Sequence, residues 1–192
     1  MYSSKELKDL ISGTSSDDVF MDIYKDKKMI PYQKERYDKA IDKFVGLYSD
    51  GDLDIFSAPG RSEIMGNHTD HQHGEVLCAA INLDAIAVVK KTDDDIIKIV
   101  SGEYPEIKIN VNDTGIPAKG GSPALVAGIC QGLKDRGYKV GGFEAYITSN
   151  VAVGAGMSSS AAFETLIGTI LSYNYNDGKV GRQRCIHRQS RH

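Results

Sequence analysis

The sequence predicts an α+β fold, because its strand-like and helical segments do not alternate regularly. Strand patterns are concentrated between residues 53 and 111 with few helices among them, and the chain shows no internal repeat. A hydrophobic content of 41% over 192 residues is enough for a packed core in one domain or a little more. A doubly wound parallel sheet, which needs alternating strands and helices, is therefore disfavoured.

The first 50 residues predict helices. Two short polar helices are predicted at 4–12 and at about 17–26, within an N-terminal helical extension over residues 1–30. A stronger helix is predicted at 32–48, where one face carries apolar residues at three- and four-residue spacing. These residues are Tyr37, Ile41, Phe44 and Tyr48. Asp50-Gly51-Asp52 is expected to end this helix.

The next segments predict β-strands, the first of them by alternating apolar and polar residues. The predicted strands cover residues 53–57, 76–81, 85–90, 96–100 and 107–111. Pro and Gly in Ala58-Pro59-Gly60 are expected to end the first strand. Residues 61–74 follow no period and carry several charged and imidazole groups, so they are interpreted as a functional loop.

The last third of the chain predicts a helix, a strand and a second helix. Ser122 and Pro123 open the first helix, which runs to about residue 136 and ends at Gly137. The strand covers residues 143–149 and the second helix residues 161–171. Between them lies the segment named here the serine loop, residues 153–160, with the sequence Val-Gly-Ala-Gly-Met-Ser-Ser-Ser.

Charge is distributed unevenly along the chain. The formal net charge is −3, but residues 179–192 hold five basic residues and no acidic one, so residues 1–178 carry a net charge of −8. An acidic body disfavours a nucleic-acid surface. The cysteines Cys78, Cys130 and Cys185 are far apart and lack metal spacing, which is typical of reduced thiols. Without a secretory signal or a membrane-spanning run, the expected location is the cytoplasm.

The serine loop has the composition of an anion-binding site. Gly154 and Gly156 allow the backbone to approach a phosphate chain, and the N–H groups at a helix start favour negative charge. Three serine hydroxyls add donors or a ligand for Mg²⁺. The pattern lacks the Lys of a Walker loop and the third Gly of a Rossmann loop. The alternative is a plain strand-to-helix turn with a serine cap.

Residues 58–70 concentrate hydrogen-bond donors and acceptors in one short segment. A sugar needs this mixture because each hydroxyl both donates and accepts. Arg61 also suits the stabilisation of charge on a transferring phosphoryl group. Two alternatives stay open, an ordinary solvated loop and a metal site formed by His68, Asp70, His71 and His73.

Both segments resemble motifs of the GHMP small-molecule kinases, a superfamily that includes galactokinase, homoserine kinase and mevalonate kinase. The serine loop is similar to the second motif of that superfamily, which holds the phosphates of ATP. The resemblance implies a Mg²⁺ ligand at Ser160, and Ser101 is expected near the nucleotide. The implied ATP-binding residues of the loop are Gly154, Ala155, Gly156, Met157, Ser158, Ser159 and Ser160.

Residues 60–74 resemble the galactokinase signature G-R-x-N-x-I-G-E-H-T-D-Y-x-x-G. The matching positions are Gly60, Arg61, Gly66, His68, Thr69, Asp70 and Gly74. The resemblance implies that Arg61 stabilises the transition state and that the sugar is bound by Asn67, His68, Thr69 and Asp70. Asn67 replaces the Glu of the signature and His71 replaces its Tyr. Because an amide is uncharged and both donates and accepts, Asn67 implies altered affinity or sugar preference.

The resemblance implies an N-terminal GHMP kinase domain over residues 31–175, with ATP and Mg²⁺ as cofactors. The implied reaction transfers phosphate from ATP to galactose, giving galactose 1-phosphate and ADP, in a protein that is monomeric when complete. It involves neither nucleic acid nor a membrane. The alternatives are a non-catalytic sensor of galactose and ATP, and a kinase for another hexose such as an N-acetylhexosamine.

Such a kinase also needs a base for the sugar hydroxyl, carried by an Asp in a G-[LI]-M-D-Q-like segment that the 192 residues do not contain. We therefore expect the C-terminal domain to be absent and the activity to be low. Residues 179–192 have no helical or strand period, and a frameshift or premature stop is favoured over a disordered basic tail. Apolar surface exposed by such shortening is expected to lower stability.

Overall fold

The structure is a computed structural model, and it describes residues 2–66, 75–113, 120–152, 154 and 156–180. Within these residues the helices are α1 Ser4–Ser12, α2 Asp17–Tyr24, α3 Ile30–Leu47, α4 Gly121–Lys134 and α5 Ser159–Asn176. The strands are β1 Leu53–Met65, β2 Leu77–Lys91, β3 Ile96–Ser101, β4 Ile107–Asn110 and β5 Phe143–Ser149. All five strands form one mixed sheet flanked by helices, so the predicted α+β class is confirmed.

The order of strands in the sheet is β1-β2-β5-β3-β4. β3 and β5 are parallel, whereas the other neighbouring strands are antiparallel. Because parallel strands end at the same edge, the last residue of β3, Ser101, and the last residue of β5, Ser149, lie at one edge of the sheet. The chain passes from this edge through the serine loop into α5.

Helices cover both faces of the sheet. On one face α4 and α5 bury residues such as Leu166 against Ala87 and Val89 of β2. On the other face α1, α2 and α3 bury residues such as Phe44 against Ile86 of β2. Successive residues of a strand point to opposite faces, so β2 is buried on both sides from residue 84 to residue 89. None of the described helices combines the length and the apolar composition that a membrane span requires.

Two predictions about the strands are wrong. β1 does not end at Ala58-Pro59-Gly60 but continues to Met65, so residues 61–65 are strand rather than loop. Register shifts between Pro59 and Arg61 and between Glu63 and Met65 absorb the irregularity, and strands tolerate proline at such bulges. β2 runs unbroken from Leu77 to Lys91 and joins two predicted strands.

The helix boundaries agree to different degrees. The predicted cap of α4 is wrong: the helix begins at Gly121 with Gly120 as its N-cap, so Ser122 and Pro123 lie within its first turn, and it ends at Lys134. α1 matches its predicted range and has a capping box between Ser3 and Glu6. α5 extends from Ser159 to Asn176, beyond the predicted 161–171, because the polar and aromatic residues at its C-terminal end hide the helical period. It ends at Asp177, which adopts a left-handed conformation. The division into residues 1–30, 31–175 and 179–192 stays a prediction.

Candidate active site

The two sequence motifs meet where β1 crosses the serine loop. The backbone N–H of Arg61 donates a hydrogen bond to the carbonyl oxygen of Met157 at 3.1 Å. Gly60 makes this approach possible, because a Cβ at that position would lie 3.0 Å from the same oxygen and 3.1 Å from Cγ1 of Val151. The structure therefore places the start of the signature segment directly against the predicted phosphate loop.

Three described residues of the serine loop have positive φ angles. Gly154 and Gly156 have φ angles of 76° and 72°, and Ser158 is left-handed at 57°. Ser158 is the N-cap of α5, yet its hydroxyl makes no capping hydrogen bond. A left-handed serine is rare, so the backbone is strained at Ser158, where the chain enters α5.

The N-terminus of α5 leaves donors for a ligand. Its first turn contains no acidic residue that would neutralise the positive end of the helix dipole. Ser159 is half-buried and Ser160 is exposed, so both hydroxyls lie near the surface of the loop. Backbone N–H groups at the start of an 18-residue helix, together with these hydroxyls, fit a polyphosphate chain. A single serine hydroxyl also suits Mg²⁺, which takes most of its ligands from water and phosphate.

Arg61 forms an ion pair that the motif analysis missed. Its Nη2 lies 3.0 Å from Oε1 of Glu63, two residues along β1 and on the same face of the strand. The Arg61 side chain is 41% exposed and that of Glu63 is 16% exposed. The sequence does show that position 63 differs from the signature, which has Asn where this chain has Glu63.

A buried polar network lies near the edge of the sheet at which β5 ends. Asp84 of β2 is 2% exposed, and its carboxylate accepts hydrogen bonds from Arg36 at 2.6 Å, Ser57 at 2.5 Å and Tyr24 at 2.8 Å. Arg36 Nη2 also donates to the backbone oxygens of Asp84 and Thr148. The network therefore ties α2 and α3 to β1, β2 and β5.

The same network holds the segment that leads into the serine loop. The backbone N–H of Asn150, the residue after β5, donates to the carbonyl oxygen of Asp84 at 2.9 Å. Burial raises the pKa of Tyr37 to about 12 and also raises the pKa of Tyr24, so both phenols stay protonated at neutral pH. Their hydroxyls lie 3.0 Å apart, and Tyr24 donates to Asp84. The sequence shows Asp84 as a charge within an apolar strand, but gives no indication of its partners.

Ser101 lies at the end of β3, where it pairs with Ile147 of β5. It is half-buried, and it shares the edge of the sheet from which the serine loop departs. Its contact with a nucleotide stays a prediction.

Several predicted site residues lie outside the described part of the chain. They are Asn67, His68, Thr69, Asp70 and Ala155, together with His71 and His73 of the alternative metal site. Among the residues that the structure does describe, no group of three or more His, Cys, Asp or Glu side chains is arranged to hold a metal ion. The roles of the predicted site residues outside the described part of the chain stay predictions.

Two family descriptions match this chain. Residues 42–91 match the galactokinase galactose-binding signature, and residues 124–188 match the GHMP kinases N terminal domain. The first range contains Arg61 and Glu63, and the second contains the serine loop. Each of the two motifs thus falls within its own matched region.

Curated relatives give the same result. A galactokinase of Clostridium tetani is 33% identical over 145 residues, covering 75% of this chain and 37% of the relative. A galactokinase of Limosilactobacillus fermentum is 33% identical over 149 residues, again covering 75% and 37%. The chain thus spans somewhat more than a third of the length of the curated relatives it matches.

Solved structures share the fold. The crystal structure of Lactococcus lactis galactokinase complexed with galactose matches with a TM-score of 0.65 and 29% identity, over 70% of this chain and 37% of that one. The Methanococcus jannaschii mevalonate kinase matches with a TM-score of 0.56 and 22% identity, over 71% and 44%, which supports the fold alone. Taken with the two matched motifs, these similarities show that the chain belongs to the GHMP kinases, a family of sugar and other small-molecule kinases, and corresponds to the N-terminal part of a galactokinase.

Proposed function

We propose that this chain provides the sugar- and nucleotide-binding part of a kinase that transfers phosphate from ATP to galactose, giving galactose 1-phosphate and ADP. The observation that carries the proposal is the hydrogen bond between Arg61 N–H and the Met157 carbonyl, which joins the signature segment to the serine loop. A kinase must bring its sugar and its phosphate donor to one place, because phosphoryl transfer depends on positioning and on charge stabilisation.

Each motif has a role in this proposal. Backbone N–H groups and hydroxyls of residues 154–160 bind the phosphates of ATP, and Ser160 contributes a ligand to Mg²⁺. The metal ion, when bound, neutralises charge on the phosphates. Arg61 lies beside the loop, where its guanidinium stabilises negative charge on the phosphoryl group. Asn67, His68, Thr69 and Asp70 bind the sugar hydroxyls, with Asn67 modifying affinity or preference.

The choice of galactose as substrate is supported by the matched signature at residues 42–91 and by the galactokinase names of the relatives. Those relatives are kinases by name, so a non-catalytic sensor is not favoured. We expect the 192-residue chain to bind its ligands without efficient turnover, because no segment of the G-[LI]-M-D-Q type follows the serine loop in it. Location in the cytoplasm and a monomeric state belong to the same proposal.

Calorimetry with the purified 192-residue chain tests the proposal. We expect Mg·ATP to bind, and Ser160→Ala to weaken that binding about ten-fold through loss of a ligand to the metal. Ser15→Ala, which removes an exposed hydroxyl far along the chain from the serine loop, is the matched control and should leave the affinity unchanged.

A sugar panel of galactose, glucose and N-acetylgalactosamine tests the substrate in the same assay. Galactose should bind more tightly than its C4 epimer glucose. Stronger binding of N-acetylgalactosamine than of galactose would contradict galactose as the substrate, and fast galactose-dependent ADP release would contradict the expected low turnover.

A further inference from the structure

Arg61, the cation of the proposed site, forms an ion pair with Glu63 of the same strand. Arg61 and Glu63 are two residues apart on β1, and this spacing places their side chains on the same face. Nη2 of Arg61 lies 3.0 Å from Oε1 of Glu63, within the range of a charge-assisted hydrogen bond. The guanidinium therefore does not meet a ligand as an uncompensated charge.

The surroundings favour this pair over a solvated arginine. In the ladder, Arg61 lies opposite Ala80 and Glu63 lies opposite Cys78, so small side chains flank the pair. The Glu63 side chain is only 16% exposed, and the Nε of Arg61 is buried without a partner among the described residues. Reduced contact with water strengthens the attraction between opposite charges.

The sequence differs from the galactokinase signature by an exchange of an amide and a carboxylate between two positions. The signature that this segment resembles has an amide at the position of Glu63 and a carboxylate at the position of Asn67, and this chain has the reverse. The number of carboxylates in the segment is thus kept, but one of them is located next to Arg61.

We propose that Glu63 is a positioning residue that orients Arg61 and partly offsets its positive charge. This inference rests on the phosphate-binding role of Arg61 proposed above. The carboxylate holds the guanidinium through Nη2 and leaves Nη1 for the ligand, since Nε is buried. The Glu63 carboxylate also weakens the attraction between Arg61 and a phosphate anion, because its negative charge partly offsets the positive charge of the guanidinium. Glu63 therefore fixes the orientation of Arg61 and weakens anion binding at it.

A double-mutant cycle tests this role with inorganic tripolyphosphate as the probe. Its affinity is measured by calorimetry for the wild-type chain, Glu63→Gln, Arg61→Ala and the double variant. Glu63→Gln keeps the acceptor oxygen and removes the charge, and it should tighten binding about three- to five-fold at low salt. In the Arg61→Ala background the same change removes only the direct repulsion and frees no guanidinium, so the gain should be smaller, and added salt should reduce it.

The control is Asp18→Asn, which removes one exposed carboxylate from α2 and should change the affinity little. An equal gain from Glu63→Gln with and without Arg61 would overturn the proposal, since it would show only a change in overall charge. Unchanged affinity in Glu63→Gln would overturn it as well.

A measurement without any ligand separates this proposal from the proposed function. Phenylglyoxal modifies accessible arginines, and peptide mass spectrometry reports the rate at Arg61 relative to that at the exposed Arg136. Glu63→Gln should speed the modification of Arg61 several-fold, and an unchanged rate would overturn the pairing. Faster modification together with no tripolyphosphate binding in any variant would support the pairing and count against the phosphate site.

Discussion

The two halves of the β1–β2 pair differ sharply although they belong to the same two strands. The inner half, residues 53–59 paired with 84–90, is covered by helices on both faces, and its β2 residues from 85 to 89 are at most 3% exposed. The outer half, residues 61–65 paired with 77–80, carries Ile64 at 63% and Met65 at 69% exposure. The inner half therefore belongs to the core, whereas the outer half is more exposed and carries Arg61 and Glu63 of the proposed site.

The largest difference between the halves is expected when each arginine–carboxylate pair is broken. Asp84→Ala leaves Arg36 buried without its counter-charge, and we expect a loss of about 4 kcal/mol in the free energy of unfolding. Glu63→Ala breaks the more exposed pair of the outer half and should cost below about 1 kcal/mol. Urea denaturation followed by circular dichroism measures both, and equal losses would remove the distinction between the halves.

A smaller contrast is expected for apolar residues. Ile86 of the inner half is fully buried, so Ile86→Ala should lower the free energy of unfolding by about 3 kcal/mol. Leu77 of the outer half is 54% exposed, and Leu77→Ala should change it by less than about 0.5 kcal/mol. The same urea titrations report both values. A loss above about 2 kcal/mol for Leu77→Ala would mean that the outer half is covered in solution.

The smallest difference between paired variants is expected at the junction of the halves. Gly60→Ala puts a Cβ within 3.0 Å of Met157 O and of Ile81 Cδ1, so we expect a loss of about 1–2 kcal/mol. Gly46 of α3 has nothing within 4 Å of such a Cβ, and Gly46→Ala should instead stabilise by about 0.5–1 kcal/mol. Thermal unfolding of both variants checks the opposite signs. A stabilising Gly60→Ala would show that β1 and the serine loop are not in close contact.

The sequence predicted the elements whose signals are local. The patterns that predicted β5 and α4 depend on neighbours in the chain, and both elements are present, although Gly120 rather than Ser122 is the N-cap of α4. The continuation of β1 through Pro59 and Gly60 depends instead on pairing with β2 and on the nearby serine loop. Pairing between distant segments overrides the local preference of these two residues for a turn.

The candidate site shows the same division. The serine loop and Arg61 were found from short motifs, because phosphate binding needs particular residues at fixed spacing. The contact of Arg36 with Asp84 joins residues 48 positions apart, and no pattern within either segment reveals it. The pairing of Glu63 with Arg61 could not be predicted from the signature, because the signature has Asn at the position of Glu63.

The hydrogen bond between Arg61 and Met157 is made by main-chain atoms alone. The architecture of the junction therefore does not depend on which side chains residues 61 and 157 carry, provided that Gly60 keeps the two backbones close. Chemistry and scaffold are separable at this point, so side-chain replacements along the outer half can alter what the protein recognises without rebuilding its frame. An exchange of Glu63 for the asparagine of the signature is therefore expected to leave the crossing intact.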